Sequence, residues 1–281
     1  AGARIEVDGR KKNPMDFALW KAAKPGEPYW ESPWGNGRPG WHIECSAMSQ
    51  KYLGTEFDFH GGGSDLIFPH HENEIAQSMA CHHHPIAHTW MHNQMINIDN
   101  QKMSKSLGNV IWAKDMVAEL GCNVVKWFML SSHYRNPLNL TEEVLNSVKK
   151  EVAKVDNVIK SVSLYLQVNH IANENYNKAA VDGMVGALED DLNTSLALTK
   201  ILDQVKKLNL AFRQKEKNDK AIAIEYQTLL KMTAVIGFVF EPRKLNAAEL
   251  EIYRAWLEAK QNKDFETADK LRTQLIEKGI I

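Results

Sequence analysis

Long apolar runs are missing from this chain of 281 residues. None approaches the ~18 consecutive apolar residues that a membrane-spanning helix needs, and the N-terminus does not read as a signal peptide. Cysteine is scarce. Cys45, Cys81 and Cys122 are the only three, and none makes a CxxC pair. That argues against a disulfide scaffold and suits a reducing cytoplasm, with thiols free or on a metal. An excess of one charge is lacking too: the net charge is −1. Any basic surface for nucleic acid therefore has to be local. The chain opens at Ala1 without a methionine and stops abruptly at Lys278-Gly279-Ile280-Ile281, so it is expected to be a fragment.

What is present suits a globular protein. The length allows a sizeable core and two domains. Hydrophobic residues at 44% and charged residues at 25% are ordinary. Histidine is concentrated: nine of the eleven fall between His42 and His92.

The pattern along the chain changes once. Arg4 to Val7 alternates and meets Asp8-Gly9, a hairpin dipeptide. Lys24 to Gly40 is dense in proline and glycine and reads as a loop, pinned to the body by Trp30 and Trp34. Trp41 to Leu53 reads as a helix, with Ile43, Ala47 and Met48 inward and Gly54 as its stop. Phe57 to Phe59 reads as a strand entering a Gly61-Gly62-Gly63 turn. A helix is expected over His70 to Cys81 with Pro69 in its first turn, then a strand over Thr89 to Ile98 turned by Asp99-Asn100. Short helices follow at Lys114 to Leu120 and Val124 to Leu130. Beyond about Thr141 only helical patterns remain: to about Leu166, Ala180 to Leu188, Ser195 to Phe212, Ala221 to Ile236, Ala247 to Lys260 and Asp264 to Glu277. The expected fold class is α/β followed by an all-α bundle, with the domains at 1–140 and 141–281.

Two constellations carry chemistry. His70 and Glu74 are four apart, which on a helix puts both on one face. Imidazole and carboxylate are good zinc ligands, and the Cys45 helix could lie beside theirs. The bland alternative makes His70 a cap, Glu74 a solvated charge and Cys45 a small buried hydrophobe. His71 points roughly 100° away and suits a supporting or ligand-facing role. His82-His83-His84 reads as solvated at a helix end. Before these histidines, Gly61-Gly62-Gly63 would let backbone approach a ring or phosphate, and Asp65 could accept from ribose hydroxyls. Lys102-Met103-Ser104-Lys105-Ser106 is a stronger signal. Two ammonium groups flank a hydroxyl, with Gly108 as a hinge, and could close on a polyphosphate. The alternative is a solvated basic loop.

Taken in order, these motifs resemble class I aminoacyl-tRNA synthetases, specifically the cysteinyl-tRNA synthetase family. The likeness rests on Gly40-Trp41-His42-Ile43-Glu44-Cys45-Ser46, on His60 to Glu74, on Lys102 to Asn109 and on Ser131-Ser132-His133-Tyr134-Arg135. The resemblance implies the second half of a Rossmann-like catalytic domain at 1–140 and a helical tRNA-stem or anticodon-side domain, incomplete at its C-terminus, at 141–281. It implies zinc held by Cys45, His70 and Glu74, with a fourth family ligand, a cysteine, in an N-terminal segment outside this chain. It implies Trp41 beside the cysteine substrate, Gly62, Gly63 and Asp65 near adenosine, and Lys102 and Lys105 acting on ATP, which is used with magnesium. The implied reaction activates cysteine as its adenylate and transfers it to tRNA(Cys). The implied partners are tRNA, cysteine and ATP, with no membrane, and the implied full-length enzyme is a monomer. The fragment alone is expected to be inactive.

Two other readings share these residues. One is a cysteine ligase of the mycothiol-biosynthesis type that uses an amino-sugar acceptor. The other is a non-catalytic, zinc-dependent tRNA-binding module.

Overall fold

A computed structural model describes residue 9, residues 11–104 and residues 107–281. The expected strand at Arg4 to Val7 lies outside them. The chain divides into two compact units, 1–95 and 96–281. No helix among the described residues is long and apolar enough to cross a membrane.

In the first unit, β1 (Trp20–Ala22) and β2 (Gly37–Pro39) pair antiparallel around the expected Lys24 loop. The strand at Gly37–Pro39 was not legible among prolines and glycines. Trp30 and Trp34 do not pin this loop, because both are exposed. Helix α1 (Trp41–Leu53) has its expected bounds, stopped by Gly54 at φ 95°. Its expected inward residues do not hold: among the described residues of α1 none is buried, and Ala47 and Met48 are exposed.

Strand β3 (Phe57–Gly63) runs through the glycines, so they extend a strand rather than turn out of it. Helix α2 (Glu72–His82) follows a single wide turn at Ile67–His71, and the chain returns in β4 (Ala87–Asn93), parallel to β3. This is one β–α–β crossover. The register pairs His60 with Trp90 and Gly62 with His92. Alternation then puts His60, Gly62, Trp90 and His92 on one face of the pair.

What this unit buries is unusual. His70, His71, Asn73, Glu74, Gln77 and Ser78 are buried, while Ile86 and Ala87 are its buried hydrophobic side chains among the described residues. Sheets of this kind are normally covered by apolar packing. Here polar groups occupy the centre.

The second unit begins with β5 (Ile96–Ile98), separated from β4 by Gln94-Met95, so the expected single strand is two. β5 turns through Asp99 (φ 47°) and Asn100 (φ 64°) into β6 (Gln101–Lys102). Positive φ at both turn residues is the hairpin geometry that Asp and Asn tolerate. Helices α3 (Ala113–Leu120) and α4 (Cys122–Leu130) lead to β7 (Leu138–Leu140), parallel to β5 and too short to announce itself in the sequence.

Six helices follow: α5 (Glu142–Val168), α6 (Lys178–Glu189), α7 (Thr194–Arg213), α8 (Asp219–Val235), α9 (Ala247–Gln261) and α10 (Phe265–Glu277). Their starts are set by side-chain caps. Thr141, Asn177, Asn193, Asn218, Asn246 and Asp264 each accept from a backbone N–H of the first turn. α5 buries Val148, Val152, Val155, Ile159, Val162 and Leu166, spaced alternately four and three apart. That stripe meets Met184, Ile201, Leu208, Ile222 and Leu229 in the main core.

Candidate metal centre

Three chain segments meet at Glu74. β3 delivers His60, the wide turn delivers His70 and His71, and α1 delivers Cys45. The glycine at 62 is needed for this meeting, because a Cβ there would lie 2.6 Å from the His71 ring. Gly62 therefore accommodates an imidazole on the histidine face of the strand.

Glu74 is fully buried. Its Oε2 lies 2.7 Å from His60 Nε2, in hydrogen-bond geometry. Its Oε1 lies 2.7 Å from His70 Nε2, yet has no hydrogen-bond partner. The distance suits an ion pair, while the angles do not suit a shared proton. Two lone-pair donors brought that close without a hydrogen bond between them suit a common cation. Cys45 completes the set: its Sγ and the His70 and Glu74 ligand atoms all lie within 4.8 Å of one another.

Neighbouring rings pack around these candidate donors. His70 Nδ1 is 2.7 Å from His42 Nδ1. With His70 as the donor there, its Nε2 keeps a lone pair for a metal. Trp41 stacks on His70 with ring centroids 4.3 Å apart. Behind Glu74, His71 Nδ1 is 2.8 Å from His92 Nε2, and His60 stacks on Trp90 at 4.5 Å. Burial, with His60 adding to it, holds His71 down at about 4. Burial and then His70 lower His42. Burial, then Glu74 and Glu44, push the Cys45 thiol up. A cation binding the sulfur would displace that proton to solvent and so favour the thiolate.

The donor set of sulfur, nitrogen and oxygen, with an orphaned buried carboxylate oxygen at its centre, fits zinc. His60, His71 and Glu74 form a second close triad. Glu74 Oε2 is already satisfied by His60, so His60 reads as the residue that orients the carboxylate. Sequence reasoning missed His42, His60 and His92; the crowding of histidine between His42 and His92 was the available signal.

The other expected site residues fall as follows. Gly63 precedes a short helical turn at Ser64–Leu66, and its missing Cβ leaves room for the Asp65 carboxylate. Lys102 ends β6 in the second unit. Lys105 and Ser106 lie outside the described residues. Around them, Asn109 accepts from the Ser104 N–H at 2.9 Å and donates to the Lys102 carbonyl, and Gly108 has φ 66°.

Residues 1–150 match the family model for the catalytic domain of tRNA synthetases class I (C). The chain belongs to that family. In this class I synthetase chain, residues 185–241 also match the DALR domain. The cysteine–tRNA ligase of Bacillus cytotoxicus is 43% identical over the whole chain, which covers 62% of that protein. That of Geobacter metallireducens is 42% identical, again over the whole chain, with 64% of its length covered. The synthetase chain thus spans less than two thirds of these curated relatives. Among solved structures, a LeuRS–tRNA–LeuAMS ternary complex of Agrobacterium radiobacter superposes with a TM-score of 0.56 at 13% identity, covering 75% of this chain and 34% of that one. At that identity the likeness concerns the fold alone.

Proposed function

We propose that this chain works in the ATP-dependent joining of cysteine to tRNA(Cys). The observation that carries the reading is the meeting of Cys45, His70 and Glu74 at one point in a class I (C) synthetase chain. These three residues would hold zinc. When bound, zinc supplies selectivity, since a soft thiolate is a far better ligand than a serine hydroxyl. A hydrophobic pocket alone separates near-isosteres poorly, so direct ligation would make editing unnecessary.

The protein's own groups then position and stabilise. Trp41, stacked on His70, would lie against the amino-acid substrate. Gly62, Gly63 and Asp65 would serve the adenosine. The substrate carboxylate attacks the α-phosphate of ATP, which enters with magnesium, and pyrophosphate leaves. Lys102 and Lys105 would offset the charge that develops on the triphosphate. A terminal ribose hydroxyl of the tRNA then attacks the cysteinyl carbonyl of the adenylate, forming the ester as AMP leaves. No protein nucleophile takes part, so catalysis is orientation plus charge stabilisation. Residues 1–140 would do this chemistry, and the helices of 141–281 would dock the tRNA on its stem or anticodon side.

The setting we propose is cytoplasmic, with the full-length enzyme a monomer. By themselves the 281 residues would charge little or no tRNA, being under two thirds of the relatives' length. The test is a charging assay with tRNA and amino-sugar acceptors offered side by side. It compares this chain alone with the chain joined to the N-terminal portion of a relative. Cysteine-dependent charging of tRNA by the joined protein only is expected. Transfer to the amino-sugar, or to neither acceptor, would overturn the reading.

A further inference from the structure

Helix α1 brings Cys45 to a site built on another helix, yet little packing holds it there. Among the described residues of α1 none is buried, and Met48 and Tyr52 are exposed. Directional contacts must therefore set how α1 slides and rotates against α2. Two polar contacts bracket the cysteine. Three residues before it, His42 meets the ligand His70. One residue after it, Ser46 Oγ donates to Gln77 Oε1 at 2.5 Å.

The spacing is that of two facing stripes. His42 and Ser46 are one turn apart on α1. His70, Glu74 and Gln77 follow at i, i+4 and i+7. The Ser46–Gln77 bond thus lies just beyond Cys45 on one helix and one turn beyond Glu74 on the other. Gln77 is 7% exposed, and its Nε2 has no hydrogen-bond partner. Burying an unpaired amide nitrogen is unfavourable, so space-filling alone does not account for glutamine here. Methionine would fill the same space without that cost. What glutamine adds is an acceptor for Ser46.

Given the metal reading of Cys45, His70 and Glu74, on which this rests, we propose that Ser46 and Gln77 are positioning residues for the metal centre. Their hydrogen bond holds α1 against α2 at the spacing that carries the Cys45 thiol to the His70–Glu74 pair. Neither residue touches the ion. Each acts through the helix that bears a ligand.

Cobalt(II) is the probe, because a cobalt–thiolate bond has its own near-ultraviolet charge-transfer band. The 281-residue chain is titrated beside Ser46→Ala, Gln77→Met, the double variant and Ser46→Thr. Each single variant is expected to weaken cobalt binding roughly tenfold, the low end for losing an outer partner of a metal ligand. Each should also lose charge-transfer intensity per bound cobalt. The double variant should be no worse than either single one, and Ser46→Thr, which keeps the hydroxyl, should restore both readouts. If Ser46→Ala fails to fold, Gln77→Met carries the comparison. Full affinity and an undiminished band in the folded variants would overturn the assignment. So would a loss of thermal stability with the band intact, because the pair would then be merely structural. A parent chain that shows no thiolate band at all would sink the metal reading instead.

Discussion

Glu74→Gln separates two accounts of the buried carboxylate by the sign of its effect. The substitution keeps the side chain's size and removes its charge. If Glu74 is the structural ion-pair partner of His60 and His70, its loss from the metal-free chain should cost about 3–5 kcal/mol, as breaking a buried pair does. If it is a metal ligand, the metal-free chain already carries a strained arrangement. Its Oε1 is buried with no hydrogen-bond partner, which costs about 1–3 kcal/mol. A neutral amide would relieve part of that. The geometry favours the second account, because Oε2 is satisfied by His60 at 2.7 Å while Oε1 faces His70 without a hydrogen bond. The assay is urea unfolding followed by circular dichroism, in chelator and in zinc, with metal analysis alongside. In chelator the variant should be as stable as the parent or slightly more so. With free zinc at ~100 times its Kd, the parent should gain about 2.7 kcal/mol and the variant much less. A loss of 3 kcal/mol or more in chelator, with the zinc increment retained, would refute the ligand role.

Three further expectations follow from single contacts. Gly62→Ala sets a methyl 2.6 Å from the His71 ring, so it should destabilise by about 1–3 kcal/mol; an unchanged denaturation midpoint would mean that His71 moves aside freely. Leu208→Ala empties a fully buried position of the helical core and should cost about 2–5 kcal/mol in urea unfolding. Arg135, and then Tyr134, hold Asp191 down at about 2 from its ordinary 3.8. The stability that this contributes is present above about pH 4 and is lost as pH falls towards 2. Asp191→Asn should therefore flatten the acid limb of a stability profile, and an unaltered slope between pH 4 and 2 would rule out the clamp.

The helical half was almost fully legible. Its apolar residues recur at helical spacing, and its starts carry Thr, Asn or Asp, so both signals are local. The candidate metal donors came partly from a similar pattern, since His70 and Glu74 are four apart, and partly from the family likeness, which supported Cys45 on a helix with clear ends. Local pattern failed where a residue's neighbours come from elsewhere in the chain. Ala47 and Met48 sit on the expected inward face of α1 and yet are exposed. The centre of that unit is filled by histidine, glutamate and glutamine rather than by hydrocarbon. Gly61 to Gly63 look like a turn in any local reading. They are strand because β4 pairs with them and His71 needs the space above Gly62.

By itself, then, the order of residues determined the helices, the candidate donor types and the family likeness, because caps, periodicity and motif strings are short-range features. Tertiary structure alone decided that Glu74 presents one oxygen to His60 and leaves the other beside His70 without a hydrogen bond. Such an arrangement depends on a strand, a turn and two helices converging, and no spacing along one segment encodes that distance.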